Sequence, residues 1–186
     1  MPFLYGTVVY TIHGDGSLCV SFDLKVTNKL TFLPRIGLRL FVDKGFDSVE
    51  YFGYGPNESY IDKHQASYVG KFTAKISDMY EPYIKPQENG SHYGCRYVKV
   101  CGDGRPVVKF SGANGKNISF NASEYTQEEL FTKRHNFELE KCCSNVICVD
   151  YKMAGVGSNS CGPMLAEKYR IGLPQVQGKI KLEIMN

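Results

Sequence analysis

Three stretches of this chain concentrate carboxylates, tyrosines and amides between glycines and prolines. Residues 53–62 (GYGPNESYID) present Glu58, Tyr60 and Asp62 after a turn that Gly53, Gly55 and Pro56 fix. Residues 77–96 (SDMYEPYIKPQENGSHYGCR) carry Tyr80, Tyr83, Glu88, Asn89 and Arg96. Residues 155–163 (GVGSNSCGP) offer Asn159, Ser160 and Cys161. Ordinary surface turns do not need polar and aromatic groups at this density. Two kinds of work would use them: contact with a substrate, or a buried Tyr/Glu/Asn/Arg network that locks long loops.

More specific chemistries lack partners. An imidazole titrates near neutral pH, yet His135 follows a short helix with no Cys, Asp or Glu set beside it, which suits a structural histidine. Gly155-x-Gly157 lacks the third glycine of a dinucleotide loop and the GK[ST] of a phosphate loop. Cys161 as a nucleophile would need a base and an electropositive setting, and the sequence shows neither. His92 near Glu88 is the one close His/Glu pair that could serve as acid and base. Seven cysteines, two of them adjacent (Cys142 and Cys143), have no zinc-ligand spacing. They read as reduced thiols of a cytoplasmic protein, with no metal or cofactor site in this chain.

The elements that must hold these groups are strands. Leu18, Val20, Phe22, Leu24 and Val26 alternate with polar residues; Ile36, Leu38, Leu40 and Val42 repeat the pattern, as do Ile180, Leu182 and Ile184. Further β-rich runs fall at 7–12, 49–54, 71–76, 96–101, 107–110, 118–122 and 146–153. Turn signals at 14–16 (GDG), 102–104 (GDG) and 113–115 (ANG) separate them as hairpin loops. One short helix is predicted over QEELFTKRH, capped by Thr126 with Glu129 completing a capping box. Many short strands with one short helix predict a mainly β protein, an antiparallel sandwich over residues 1–186 as a single domain.

Composition agrees with a globular domain. The chain has 186 residues, 42% hydrophobic and 22% charged, with a formal net charge of +3. No basic stripe points to nucleic acid, and no apolar run approaches the roughly 20 residues of a membrane helix. The first residues read as a strand rather than a signal peptide.

The three loops, in this order, resemble the C-terminal small-chain domain of bacterial β-galactosidases of glycoside hydrolase family 2. Gly53, Gly55, Pro56, Glu58, Tyr60 and Asp62 match that family's GxGPxExYxD pattern, with Lys63 where an arginine is usual. Ser77, Asp78, Tyr80, Pro82, Tyr83, Pro86, Gln87, Glu88, Asn89, Gly90 and Arg96 match its second stretch. Phe120, Tyr125, Thr126, Glu128, Glu129, Leu130, His135 and Leu139 match a third.

The resemblance runs from about residue 10 to 182 and implies a galactose-mutarotase-like β-supersandwich that begins within its domain. It implies a parent enzyme, homo-oligomeric and served by Mg2+ and Na+, that hydrolyses terminal β-galactosides with retention. Its two glutamates, about 5 Å apart, would sit on a barrel domain absent from this chain. Residues 155–163 would then rim the substrate pocket, at Asn159, Ser160 and Cys161. Well-known members place a tryptophan in this loop, against the sugar; this chain has no Trp, and Cys161 falls at or beside that position. A stand-alone sugar-binding module and a mutarotase-like enzyme are the alternatives.

Overall fold

The structure, a computed structural model, describes residues 4–27, 31–158, 161–172 and 174–185. Its strands are β1 (Leu4–Ile12), β2 (Leu18–Val26), β3 (Arg35–Val42), β4 (Ser48–Gly55), β5 (Tyr68–Lys75), β6 (Ser91–Cys95), β7 (Tyr97–Cys101), β8 (Val107–Gly112), β9 (Ile118–Ser123), β10 (Asn145–Met153) and β11 (Gln175–Met185). A seven-stranded antiparallel sheet, ordered β1-β2-β11-β8-β7-β4-β5, packs on a four-stranded one, ordered β3-β10-β9-β6. The mainly β sandwich expected from the alternating runs is the observed architecture.

Two apolar clusters hold the layers together. Tyr51, Val98, Val100 and Phe110 from the large sheet meet Ile118, Phe120, Ile147 and Val149 from the small one, and all are fully buried. A second cluster gathers Phe22, Val26, Ile36, Ala154, Leu165 and Ile171. Ala154 and Leu165 flank residues 155–163, so this cluster anchors the loop at both ends. Strand β10 is buried along its first six residues, on both alternating faces. That explains its nearly unbroken apolar sequence, and it makes the one carboxylate within it, Asp150, conspicuous.

The sequence signals hold in most places, and the departures have local causes. The turn at His13 closes a hairpin between β1 and β2 through His13 N–H to the Ser17 carbonyl (2.9 Å). By contrast, the turn at 113–115 carries the chain from the large sheet to the small one rather than closing a hairpin. Helix α1 (Gln127–Thr132) is shorter than its sequence suggested. Thr126 Oγ1 accepts the Glu129 N–H as predicted (3.1 Å), but the Glu129 carboxylate turns to the Glu140 N–H (2.8 Å), so the reciprocal half of the capping box is absent. Strand β6 lies inside the stretch read as a loop, because a bulge with Gly94 at φ +65° breaks its alternation. Among the described residues strand β1 pairs only with β2, and it is exposed along nearly its whole length, Tyr10 to 66% and Ile12 to 80%.

Candidate functional site

Two carboxylates tie the three loops into one wall. The 53–62 loop leaves β4 through Gly55 and Pro56 and carries Glu58 and Asp62. Glu58 Oε1 accepts from the Tyr83 hydroxyl and from Lys63 Nζ (2.5 Å). Its Oε2 accepts from the Gly90 N–H (2.9 Å) and, more weakly, from the Tyr60 hydroxyl (3.5 Å). Burial opposes ionisation of Glu58, yet the bonds from Lys63, Tyr83 and Gly90 outweigh it and hold its carboxyl below the ordinary range. Thus one side chain of the first loop fastens the second. Asp62 fastens the third: its oxygens accept the N–H groups of Val156 (3.1 Å) and Gly157 (2.8 Å).

The second loop is also clasped from within. Asn89, 4% exposed, accepts the Glu81 N–H (3.1 Å) and donates to the Gln87 carbonyl (2.9 Å). Gly90 follows at φ +67°, where an added Cβ would strike the Met79 carbonyl. Tyr60 is buried, pairs its backbone with Lys63 in both directions, and has its hydroxyl pushed upward in pKa by burial and by the nearby Glu88 and Glu58. Tyr80 packs on Tyr125 with ring centroids 5.1 Å apart.

Beneath this wall sits an ion cluster that reading the sequence missed. Arg35, at the start of β3, grips Asp150 with two parallel bonds (Nε–Oδ1 3.0 Å, Nη2–Oδ2 2.5 Å). Its Nη1 reaches Glu88 at 3.0 Å. Two carboxylates therefore share one guanidinium. Burial pushes both acids upward in pKa, and Arg35 offsets this only in part. Glu88 Oε1 is buried and accepts no hydrogen bond from the described residues. The signal was present: a lone Asp in the apolar run VICVDYKM must find a cation.

The other candidates fall elsewhere. Arg96 is exposed and lies over the Phe52 ring at 4.9 Å, so the arginine of the loop network is Arg35. His135 stacks on Phe137 (5.2 Å) and its backbone N–H bonds the Glu138 carboxylate, while its neighbour Asn136 donates its N–H to the Ile84 carbonyl of the second loop (3.0 Å). His92 is 3% exposed, with Nδ1 at 3.1 Å from the Tyr54 carbonyl and its ring stacked on Phe120. Burial lowers its pKa to about 4, so it is a neutral core residue and no acid/base partner of Glu88. Asn159 and Ser160 lie outside the described residues; Cys161 is exposed, its N–H bonded to the Ser158 carbonyl (3.1 Å). Cys19, Cys95, Cys101, Cys142, Cys143 and Cys148 are free thiols.

The wall borders a cleft of about 660 Å³, lined by Glu58, Tyr60, Lys63, Tyr83, Glu88 and residues 154–158. Its volume suits a small polar ligand, and it is open to solvent. Among the described residues no three His, Cys, Asp or Glu side chains gather as a metal site. No helix of the described residues is long and apolar enough to cross a membrane.

Comparison with known proteins finds one family model, "Beta galactosidase small chain", matching residues 2–184. A β-galactosidase of Actinobacillus pleuropneumoniae is 44% identical over 95% of this chain. One from Staphylococcus xylosus is 36% identical over 99% of it, and one from Vibrio cholerae 30% over 94%. The chain spans only 17%, 18% and 16% of those relatives.

Proposed function

Because this chain belongs to the β-galactosidase small-chain family, we propose that it is one wall of the substrate pocket of a larger β-galactosidase. The parent hydrolyses terminal β-D-galactosides such as lactose with retention, using a glutamate pair carried by its barrel domain. The fastening of three loops by Glu58 and Asp62 around an open cleft carries this reading. The rim residues would be Asn159, Ser160 and Cys161, which follow in sequence the amides that Asp62 holds. The wall's work is positional: it shapes the pocket mouth and limits water there, while proton transfer and nucleophilic attack occur on residues of another domain. The Mg2+ and Na+ ions of the homo-oligomeric parent bind outside this chain. The free thiols suit a cytoplasmic protein.

The deciding experiment has two arms. Purified chain alone gives no turnover of a chromogenic β-galactoside. Mixed with the A. pleuropneumoniae relative truncated to lack its matching residues, it restores hydrolysis. Turnover that follows the isolated chain through purification sinks the proposal.

A further inference from the structure

Next to the wall lies a second cleft of about 710 Å³, bounded by the end of β4, by β6, by the start of β9, by the end of β10 and by residues 168–171. Its floor is aromatic. Tyr54 stacks on Tyr93 with centroids 5.9 Å apart, and the His64 ring lies 4.8 Å from the first and 5.5 Å from the second. Its rim is cationic: Lys116, Lys152, Lys168 and Arg170 line it, and no Asp or Glu does. Those charges exceed the chain's entire formal excess of +3.

Six lysines elsewhere share three carboxylates. Lys71 and Lys99 share Glu50, Lys109 and Lys181 share Glu183, and Lys44 and Lys141 share Glu124. Lys116, Lys152 and Lys168 are all exposed and pair with no carboxylate among the described residues. Their charges come from three separate elements and spread along the rim. Such a spread fits an extended acidic segment better than one small anion.

We propose that this cleft seats an acidic segment of the parent enzyme's remaining polypeptide, one bearing two or more Asp or Glu side chains beside an apolar residue. The inference rests on the reading of the chain as part of a larger β-galactosidase. Besides charge, continuity supports it. Met153 lines both this cleft and the wall's cleft, and Tyr169, which lines it too, takes the Gly155 N–H on its carbonyl (2.9 Å). A domain that supplies the missing side of the pocket must therefore pass close to this surface. Supply is ample, since more than four-fifths of each relative's length lies outside the match. Seated there, the acidic segment fixes the approach of the neighbouring domain, and the aromatic floor buries its apolar residue.

The test uses this chain and the A. pleuropneumoniae relative lacking its matching residues. Association is followed by titration calorimetry at about 0.02 M and about 0.3 M salt, alongside recovered galactoside hydrolysis. The triple change Lys116→Glu, Lys152→Glu, Lys168→Glu alters exposed side chains only, and its thermal melt verifies the fold. A control, Lys25→Glu, Lys75→Glu, Lys179→Glu, changes the net charge equally on β2, β5 and β11.

The expected result is a loss of affinity of about tenfold or more in the cleft variant at low salt, shrinking at high salt, with the control within about twofold of the parent chain. If both variants weaken alike, or neither does, while the unaltered chain still associates and restores hydrolysis, this inference is overturned and the pocket-wall reading stands. If the unaltered chain neither associates nor restores hydrolysis, both are overturned.

Discussion

Asp62 lies directly against Gly155: its carboxyl group occupies the space in which any side chain at Gly155 would stand. The same carboxylate then caps the next two amides, Val156 and Gly157. One acid and one glycine thus determine how the first loop and the third meet.

Gly155→Ala must displace the Asp62 carboxylate and so break its hydrogen bonds to both amides. A loss of about 1–3 kcal/mol is expected in urea unfolding, with Asp62→Ala costing a similar amount. Because both changes remove the same contact, the double variant should cost little more than either alone. Simple additivity would show that the two residues act independently.

Arg35→Met should be the most damaging single change in this region, at about 3–5 kcal/mol, because it strands Asp150, 2% exposed, without its cation. Glu88→Gln should cost less than about 1 kcal/mol, since it removes the surplus carboxylate of a pair sharing one guanidinium. Chemical denaturation of both variants gives the comparison. Equal costs would mean that Glu88, not Asp150, is the essential partner.

Burial holds His92 at a pKa of about 4, against 6.5 for the free side chain. Between those values the unfolded chain takes up a proton that the folded chain refuses. This contribution is therefore intact above about pH 6.5 and is lost as pH falls, the loss reaching about 3 kcal/mol near pH 4. Glu88 and Asp150, with raised pKa values, act in the opposite sense, so the informative quantity is the difference from a His92→Gln variant. That difference should narrow on acidification; a constant gap from neutral pH to about pH 4 would mean that His92 is protonated in the folded state.

Reductant should leave the melting temperature almost unchanged, because Cys19, Cys95, Cys101, Cys142, Cys143 and Cys148 are free thiols. A lost disulfide would typically cost about 2–5 kcal/mol, visible in calorimetry as a drop of several degrees.

How much of this was legible beforehand depended on range. Alternation along β2, β3 and β11 and the Thr126 cap are properties of neighbouring residues, so the sequence carried them openly. Strand β6 was hidden because a bulge at Gly94 places His92 and Cys95, out of phase, in the same core. Glu58, Tyr60, Asp62, Tyr83, Glu88 and Asn89 were recognisable as a loop set, but the joining of Glu58 to Gly90 and of Asp62 to Gly157 spans 32 and 95 positions. Arg35 was passed over because it opens a strand whose other residues follow an apolar alternation, while Arg96 sat inside the motif and drew the assignment. Pairing between distant polar groups leaves no periodic trace, and only burial shows which cation an interior carboxylate must have.

The bare rim of β1 bears on how this polypeptide behaves in a test tube. Its sequence, LYGTVVYTI, contains no lysine, proline or acid to discourage a second strand from zipping onto its free backbone groups, whereas the opposite margin, β5, carries Lys71 and Lys75. Purified on its own, the protein will tend to stack margin to margin, so its yield and its light scattering should depend steeply on concentration. A single lysine in place of Val8 or Tyr10 should raise the solubility ceiling without touching any of the three loops.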